Sequence, residues 1–361
     1  MDGRKNRRVR SMLAGFMASV ALSAPAMAGP LDILTYTGAD RNELVLEGAR
    51  KEGVVTIYST VIVNQALRPI ADAFSKKYPF MKVNYWRGDT GDLMAKIGAE
   101  IRADNLVADV IEGSLGEIAV AAGVTQPFTS PMITGFPEAY RDPQQNWAPT
   151  RFNYFGLAYN TKLVSPADVP KTYEDLLDPR WSGKMAWRID DCCGNLLFIT
   201  NLRKAWGEER AMDYLRKLGK QKLINFAAGS ARTLVDRVIA GEYPIAINIF
   251  AHHPLISAGK GASVSTQLLE PVPASAAQVM VVRGVKRPNA ALLLVDFILS
   301  DDGQAILSKA EYFPARTGVP ALASMAAAVP SNSGKKDNFI SPADVVNYSP
   351  RSSEIYNDLF R

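Results

Sequence analysis

Three polar segments of the sequence each begin a predicted helix in a candidate binding region. They are residues 88–92, 193–195 and 229–232. The first turn of a helix presents backbone N–H groups without intrahelical partners and about half a positive charge, which favours an anion. Two nearby arginines, Arg87 and Arg232, would add charge and forked donors. These residue types predict a site for a carboxylate, phosphate or phosphonate group.

Acidic residues in the same segments leave two alternatives open. Asp89, Asp190 and Asp191 can cap their own helices, or they can pair with an ammonium group of a zwitterionic or cationic ligand. For any single polar residue, capping is the simpler interpretation. The candidate ligand-binding residues are Ser59, Thr60, Arg87, Asp89, Thr90, Ser114, Asp191, Cys193, Gly194, Asn195, Ser230, Arg232, Phe250 and His252.

The two cysteines, Cys192 and Cys193, are adjacent and cannot form a loop-closing disulfide of the usual geometry. A vicinal disulfide and two free thiols remain as alternatives. Helix starts can activate thiols, so an exported enzyme with Cys193 as nucleophile and His252 or Asp191 as base is one alternative function. His252 and His253 are the only histidines and the only metal-ligand candidates. We expect no catalytic residue, no bound metal and no cofactor.

Residues 54–114 predict the elements that position one side of this site. Strands are expected over 54–58, 81–86 and 107–112, with a helix over 66–78 and another after residue 92. In an open parallel sheet, ligands bind outside the carboxyl ends of the strands. Residues 59–60, 87–90 and 112–114 should therefore line one rim. The region after residue 184 repeats the order of strand and polar helix start, which predicts a second rim.

The N-terminus is typical of an export signal. Five basic residues precede an apolar stretch over 12–22, and Ala26-Met27-Ala28 resembles a cleavage site. Eleven apolar residues are fewer than the roughly 20 that span a bilayer. We therefore predict a signal peptide over 1–28 and a soluble periplasmic protein. Removal of the signal peptide takes away five of 41 basic residues and one of 36 acidic residues. The mature chain then has 36 basic and 35 acidic residues, so its net charge predicts no nucleic-acid partner.

The order of features resembles the type II periplasmic solute-binding proteins of ABC importers, in the iron-type extracellular branch. The segments that carry this resemblance lie at 47–59, 88–99, 108–110, 155–160, 181–184, 229–247 and 297–303. The resemblance implies an α/β, two-lobed fold with two mixed sheets flanked by helices and two hinge crossovers. Lobe one would comprise 40–148 plus 282–361, and lobe two 149–281, with hinge strands near 147–160 and 269–280.

The same resemblance implies a function. A monomer would enclose a small solute between its lobes and deliver it to the membrane permease of an ABC importer. In the ferric-ion carriers of this branch, two adjacent tyrosines after the last strand of lobe two hold the metal. Here Phe250 and Ala251 occupy those positions, so a ferric carrier would need other ligands, such as His252 and His253. A sensor subunit that signals closure to a receptor kinase is a further alternative.

Overall fold

The computed structural model describes residues 32–189, 194–227 and 229–361. The predicted signal peptide and residues 190–193 lie outside this part. The helices are α1 (Arg41–Glu52), α2 (Arg68–Lys77), α3 (Thr90–Arg102), α4 (Gly116–Ala121), α5 (Asn195–Trp206), α6 (Glu208–Gly219), α7 (Ala231–Ile239), α8 (His252–Ala258), α9 (Pro288–Leu299), α10 (Asp301–Lys309) and α11 (Pro342–Phe360). The strands are β1 (Val54–Ser59), β2 (Lys82–Arg87), β3 (Val110–Gly113), β4 (Thr125–Gln126), β5 (Ala148–Asn160), β6 (Met185–Arg188), β7 (Ile224–Phe226), β8 (Ile245–Phe250), β9 (Val264–Gln267), β10 (Val272–Val282), β11 (Phe313–Pro314) and β12 (Asp337–Phe339).

The first three strands bring polar residues to one edge. β1 pairs in parallel with β2 and with β3, and Ser59 is in register with Arg87 on one side and Glu112 on the other. β1 and β3 are buried, whereas β2 has no fully buried residue, and the carboxyl ends of the three strands coincide. The α/β arrangement expected for residues 54–114 is confirmed, although the helix before β2 starts as a π-helical turn, Val63–Leu67.

The long strand β5 connects the two sheets. The first part of β5 pairs antiparallel with β10, and its second part pairs with β8 and β9. The register shifts near Gly156 and near Ala277. The main strand order is β2-β1-β3-β10-β5-β8-β6-β7, so β5 belongs to both mixed sheets. β5 covers the range expected for the first crossover, 147–160, whereas the second, at 269–280, stays a prediction, since β10 pairs with β3, β4, β5 and β12.

Each half has its own apolar core. One core includes Phe74 and Phe297, whose rings meet edge to face between α2 and α9. The other includes Trp187, Leu202 and Leu215, between the second sheet and helices α5 and α6. Two separate cores are consistent with two lobes, while the exact lobe boundaries stay a prediction.

The C-terminal region differs from the sequence-based expectation. The sequence of residues 342–361 predicts a chain end with a short helix, but α11 has 19 residues and begins at a capping box formed by Ser341 and Asp344. Its last turns pack on the second core, where the rings of Phe360 and Trp187 are 4.7 Å apart. The residues that α11 packs against lie far from it in the sequence, so local sequence does not predict the length of this helix. Two 3₁₀ turns precede α11, Ala323–Ala328 and Pro330–Ser333.

The helix break in the middle region also lies later than expected. The periodicity of the sequence predicts a helix over residues 203–218, but α5 runs to Trp206 and α6 begins at Glu208. Gly207 lies between them with φ 80°, a conformation that side chains with a Cβ rarely adopt. Within the ranges that the structure describes, no helix combines the length and apolarity needed to cross a membrane.

Candidate ligand-binding cleft

A cavity of about 1010 Å³ lies at the strand ends and is lined by residues from both halves of the sheet. Nine of the predicted residues line it. They are Thr60, Arg87, Asp89, Thr90, Ser114, Ser230, Arg232, Phe250 and His252. The strand-end rule therefore brings together side chains that are far apart in sequence.

The deepest charged pair of the cleft, which we call the floor pair, is Glu112 and Arg151. Their side chains are 5% and 7% exposed, and the carboxylate accepts from Arg151 Nη1. Ser59 Oγ donates to Glu112 Oε2 at 2.6 Å. Thr150 Oγ1 donates to Oε1, the oxygen that also accepts from Arg151, at 3.0 Å. Buried charges require partners of this kind. The floor pair is therefore fixed before any ligand arrives.

Arg151 faces the cavity with part of its donor capacity. Its Nη2 donates to Thr60 Oγ1 at 3.3 Å, and its guanidinium lies 5.0 Å from the ring centre of Tyr312. Among the described residues, its Nε has no hydrogen-bond partner. Burial raises the pKa of Tyr312, so its hydroxyl stays protonated at neutral pH. Arg151 thus combines a rigid position with a place in the cavity wall.

The charged pair nearest to solvent, which we call the rim pair, is Arg87 and Asp89. Arg87 Nη2 donates to Asp89 Oδ1 at 2.6 Å, and the side chains are 36% and 47% exposed. An exposed pair of this kind contributes little to stability, about 0–1 kcal/mol. Its geometry is therefore free to change when a ligand binds.

Arg232 lines the cavity from the second half of the molecule. Its Nη1 donates to the carbonyl oxygen of His253 at 3.1 Å, and its Nε lies 3.5 Å from Asp236, one helical turn away. A guanidinium has five N–H donors, so these two contacts leave several for a ligand. Arg188, at the end of β6, also lines the cavity.

His252 and His253 are adjacent in the wall, with ring centres 4.5 Å apart. Burial lowers the pKa of His252 well below 6.5, helped by the nearby charges of His253, Arg151 and Arg232. Burial, followed by the charge of Arg232, lowers the pKa of His253 to about 3. Both rings are neutral at pH 7, and neither Nδ1 has a partner among the described residues. The two histidines therefore add no charge to the cavity wall at neutral pH.

The three predicted helix starts differ in whether side chains of their own residues already cap the backbone N–H groups that could bind an anion. At α7, Ser230 Oγ accepts from Thr233 N at 3.3 Å, and at α3, Asp92 Oδ2 accepts from Asp89 N at 3.4 Å. These are the self-capping contacts that were the simpler alternative. At α5, the residue before the helix is Gly194, which has no side chain to cap it. The arginines, rather than the helix starts, provide most of the exposed donors.

A family model described as bacterial extracellular solute-binding protein matches residues 105–345, which is 241 of 361 residues. The chain belongs to this family. It is a periplasmic solute-binding protein of the ABC importer type, as the resemblance of the sequence predicted. Such proteins deliver small solutes to a membrane permease.

Relatives of this solute-binding protein have different ligands in their names. "Iron uptake protein A1" of Synechocystis sp. is 27% identical over 265 residues, covering 68% of this chain and 72% of that protein. The structure of AfuA from Actinobacillus pleuropneumoniae with fructose-6-phosphate bound has a TM-score of 0.72 at 23% identity, covering 86% of this chain and 99% of that one. Iron-bound HitA from Pseudomonas aeruginosa has a TM-score of 0.70 at 24% identity, covering 85% and 99%. The structural likenesses establish the two-lobed fold.

Some predicted residues of the solute-binding protein do not line its cavity. Ser59 is fully buried below the floor pair, where it orients Glu112. Asn195 is 1% exposed, and the carbonyl of Gly194 accepts from Asn248 Nδ2 at 2.7 Å. All three are therefore buried behind the cavity wall in this structure. Asp191 and Cys193 lie outside the described residues, as do Asp190 and Cys192.

Sequence reasoning missed several residues that line the cavity. Arg151 gave the clearest signal, since a charged residue inside the long apolar strand β5 needs a buried partner. Tyr312 and residues of α11 gave none, because they reach the cleft only through tertiary packing. The missed residues that matter below are Arg151, Arg188, Leu196, Tyr312, Val345 and Val346.

Proposed function

We propose that this protein carries a small anionic solute, such as a phosphorylated, phosphonate or carboxylate compound, held by arginines of both lobes. The observation that carries the proposal is the set of four arginines that line one cavity: Arg87, Arg151, Arg188 and Arg232. Arginine matches carboxylate and phosphate groups with two parallel hydrogen bonds. A solute that engages both halves would stabilise the closed form.

Electrostatics supports an anion even though the arginines have carboxylate partners. Asp89, Glu112 and Asp236 each pair with one arginine, and a guanidinium has five N–H donors, so one carboxylate partner leaves donors for an anion. The hydroxyls of Thr60, Ser114 and Ser230 also line the cavity. A zwitterion would fit the same site, with its ammonium near Asp89 and its acidic group near Arg151.

A ferric carrier is the alternative that the relatives favour, since two of them are called iron uptake proteins. The described residues contain no group of three or more His, Cys, Asp or Glu side chains placed to hold a metal ion. A ferric carboxylate complex is itself an anion, and the structure of a Trichodesmium protein holds iron together with citrate. Ferric citrate therefore belongs in the test beside citrate alone.

The test is a thermal-shift screen of the purified mature protein with phosphate, phosphonates, carboxylates, amines and ferric citrate. A ligand that binds only the folded protein stabilises it by mass action, by about 2.7 kcal/mol at 100 times its Kd. We expect anions to raise Tm and amines without an acidic group to leave it unchanged. A rise with amines alone would refute the anionic proposal, and a rise with ferric citrate but not citrate would favour iron.

The enzymatic alternative has its own test. Cys193→Ser should leave ligand affinity within about twofold, and any bound compound should be recovered chemically unchanged after long incubation. Turnover that is lost in Cys193→Ser would overturn the assignment as a carrier.

A further inference from the structure

Exposed apolar side chains are concentrated in the cleft. Among the described residues, the large apolar side chains with more than a third of their surface exposed number seven, and four of them line the cavity: Ile62, Ile118, Ile189 and Val346. Their exposures are 43%, 40%, 38% and 43%. Isolated exposed apolar residues are ordinary, but a set that faces one cavity marks a binding surface.

Four apolar residues of the cavity lie on helices that carry none of the four arginines lining it. Thr60, Arg151, Tyr312 and His252 form a chain of contacts, and Arg232 contacts the neighbouring His253. We call the other set, Ile118, Leu196, Val345 and Val346, the apolar end. It comes from α4, α5 and α11, and α11 packs against both of the other two.

Helix α11 is held firmly enough to serve as a wall. Lys204 Nζ on α5 lies 2.6 Å from Asp344 Oδ2, and Thr200 Oγ1 lies 2.9 Å from Ser352 Oγ. On the α4 side, Gly116 lies so close to Pro342 that a Cβ there would approach its ring to 2.4 Å. The apolar side chains between these contacts therefore have a fixed position facing the cavity.

The size of the cavity argues against a bare inorganic anion. About 1010 Å³ is at the upper end of the range for organic ligands, roughly 300–1,000 Å³. A phosphate ion would leave the apolar end in contact with water. Covering apolar surface is favourable by about 25 cal/mol per Å², so a ligand with an apolar body gains affinity there.

We infer that the cleft takes an amphipathic organic anion, with its acidic head at the arginines and its apolar body against Ile118, Leu196 and Val346. This inference rests on the proposed anionic function and adds the chemical class of the rest of the ligand. An aryl or branched-alkyl phosphonate, phosphate ester or carboxylate has this form. A sugar phosphate, whose body carries hydroxyl groups, does not.

Calorimetric titration with matched probes tests it. The probes are inorganic phosphate, methylphosphonate, phenylphosphonate, acetate, benzoate and neutral benzyl alcohol. We expect each aryl anion to bind at least tenfold tighter than its methyl partner, because a hydrophobic contact of this size is worth a factor of 10–200. Equal affinities within each pair would overturn the inference and leave the anionic function standing.

Variants locate the effect. Val346→Asn should reduce the preference for phenylphosphonate over methylphosphonate about fivefold and leave methylphosphonate affinity within twofold. The control is Leu163→Asn, since Leu163 is 55% exposed and does not line the cavity. If Val346→Asn weakens both phosphonates equally, the apolar end contacts the other lobe rather than the ligand, and the inference is wrong. If benzyl alcohol binds as tightly as the aryl anions, or if none of the anions binds, the anionic function fails and the inference fails with it.

Discussion

The floor pair and the rim pair contain the same chemistry, an arginine beside a carboxylate, in opposite surroundings. At the floor, Glu112 and Arg151 are almost fully buried and held by Ser59, Thr60 and Thr150. At the rim, Arg87 and Asp89 are exposed and hold mainly each other. The fold orients the first arginine, whereas solvent and the ligand orient the second. The comparison predicts that stability and affinity depend strongly on the floor and weakly on the rim.

Arg151→Met gives the largest expected effect. It removes a cavity-facing donor and leaves Glu112 buried without its counter-charge, which typically costs 3–5 kcal/mol of stability. We expect a lower urea midpoint and loss of anion affinity by at least a hundredfold, measured by denaturation and calorimetry.

A double variant separates these two consequences. In Arg151→Met/Glu112→Gln the buried charge is gone, so most of the stability should return while the affinity stays low. If this double variant bound anions as tightly as the wild type, Arg151 would be a purely structural residue and the floor would not contact the ligand.

The two histidines beside the floor pair should give the next largest effect, on the pH dependence of folding stability. The pKa of His253 is lowered from 6.5 to about 3, and that of His252 is also lowered, by burial and by the charges of Arg151 and Arg232. Below pH 6.5 the unfolded chain binds protons that the folded chain does not, so stability falls as the pH falls towards 3. Between pH 6.5 and pH 5 each histidine contributes at most about 2 kcal/mol to this loss.

The measurement is urea denaturation of the wild type, His252→Asn and His253→Asn at pH 7.5 and pH 5. Each variant should lose less stability than the wild type on going to pH 5, because one such histidine is absent. Equal losses in all three proteins would mean that the rings are accessible to protons in the folded state.

The same contrast explains what the sequence could predict. Arg87, Asp89 and Thr90 follow a strand directly, so the strand-end rule located them without knowledge of the fold. Arg151 depends on the pairing of β5 with β10, a contact between strands more than a hundred residues apart. Tyr312 and Val346 depend on how the C-terminal elements pack. Local rules therefore located the rim pair and Glu112 of the floor pair, whereas Arg151 and the apolar end depend on long-range contacts.

Substitutions in the rim pair should have the smallest effect on affinity, and they best discriminate an anionic solute from a zwitterion. Arg87→Ala removes an exposed, already paired cation, so we expect anion affinity to fall by less than about tenfold, or 1.4 kcal/mol, with stability changed by less than about 0.5 kcal/mol.

Asp89→Asn is the matched variant, since it keeps the shape and removes the competing carboxylate. It should raise the affinity for phosphate by a few-fold at low salt, and 0.5 M salt should reduce both changes through screening. If Asp89→Asn instead weakens every ligand, Asp89 binds a positive group and the solute is a zwitterion, which calorimetry with paired amino and non-amino phosphonates would show directly.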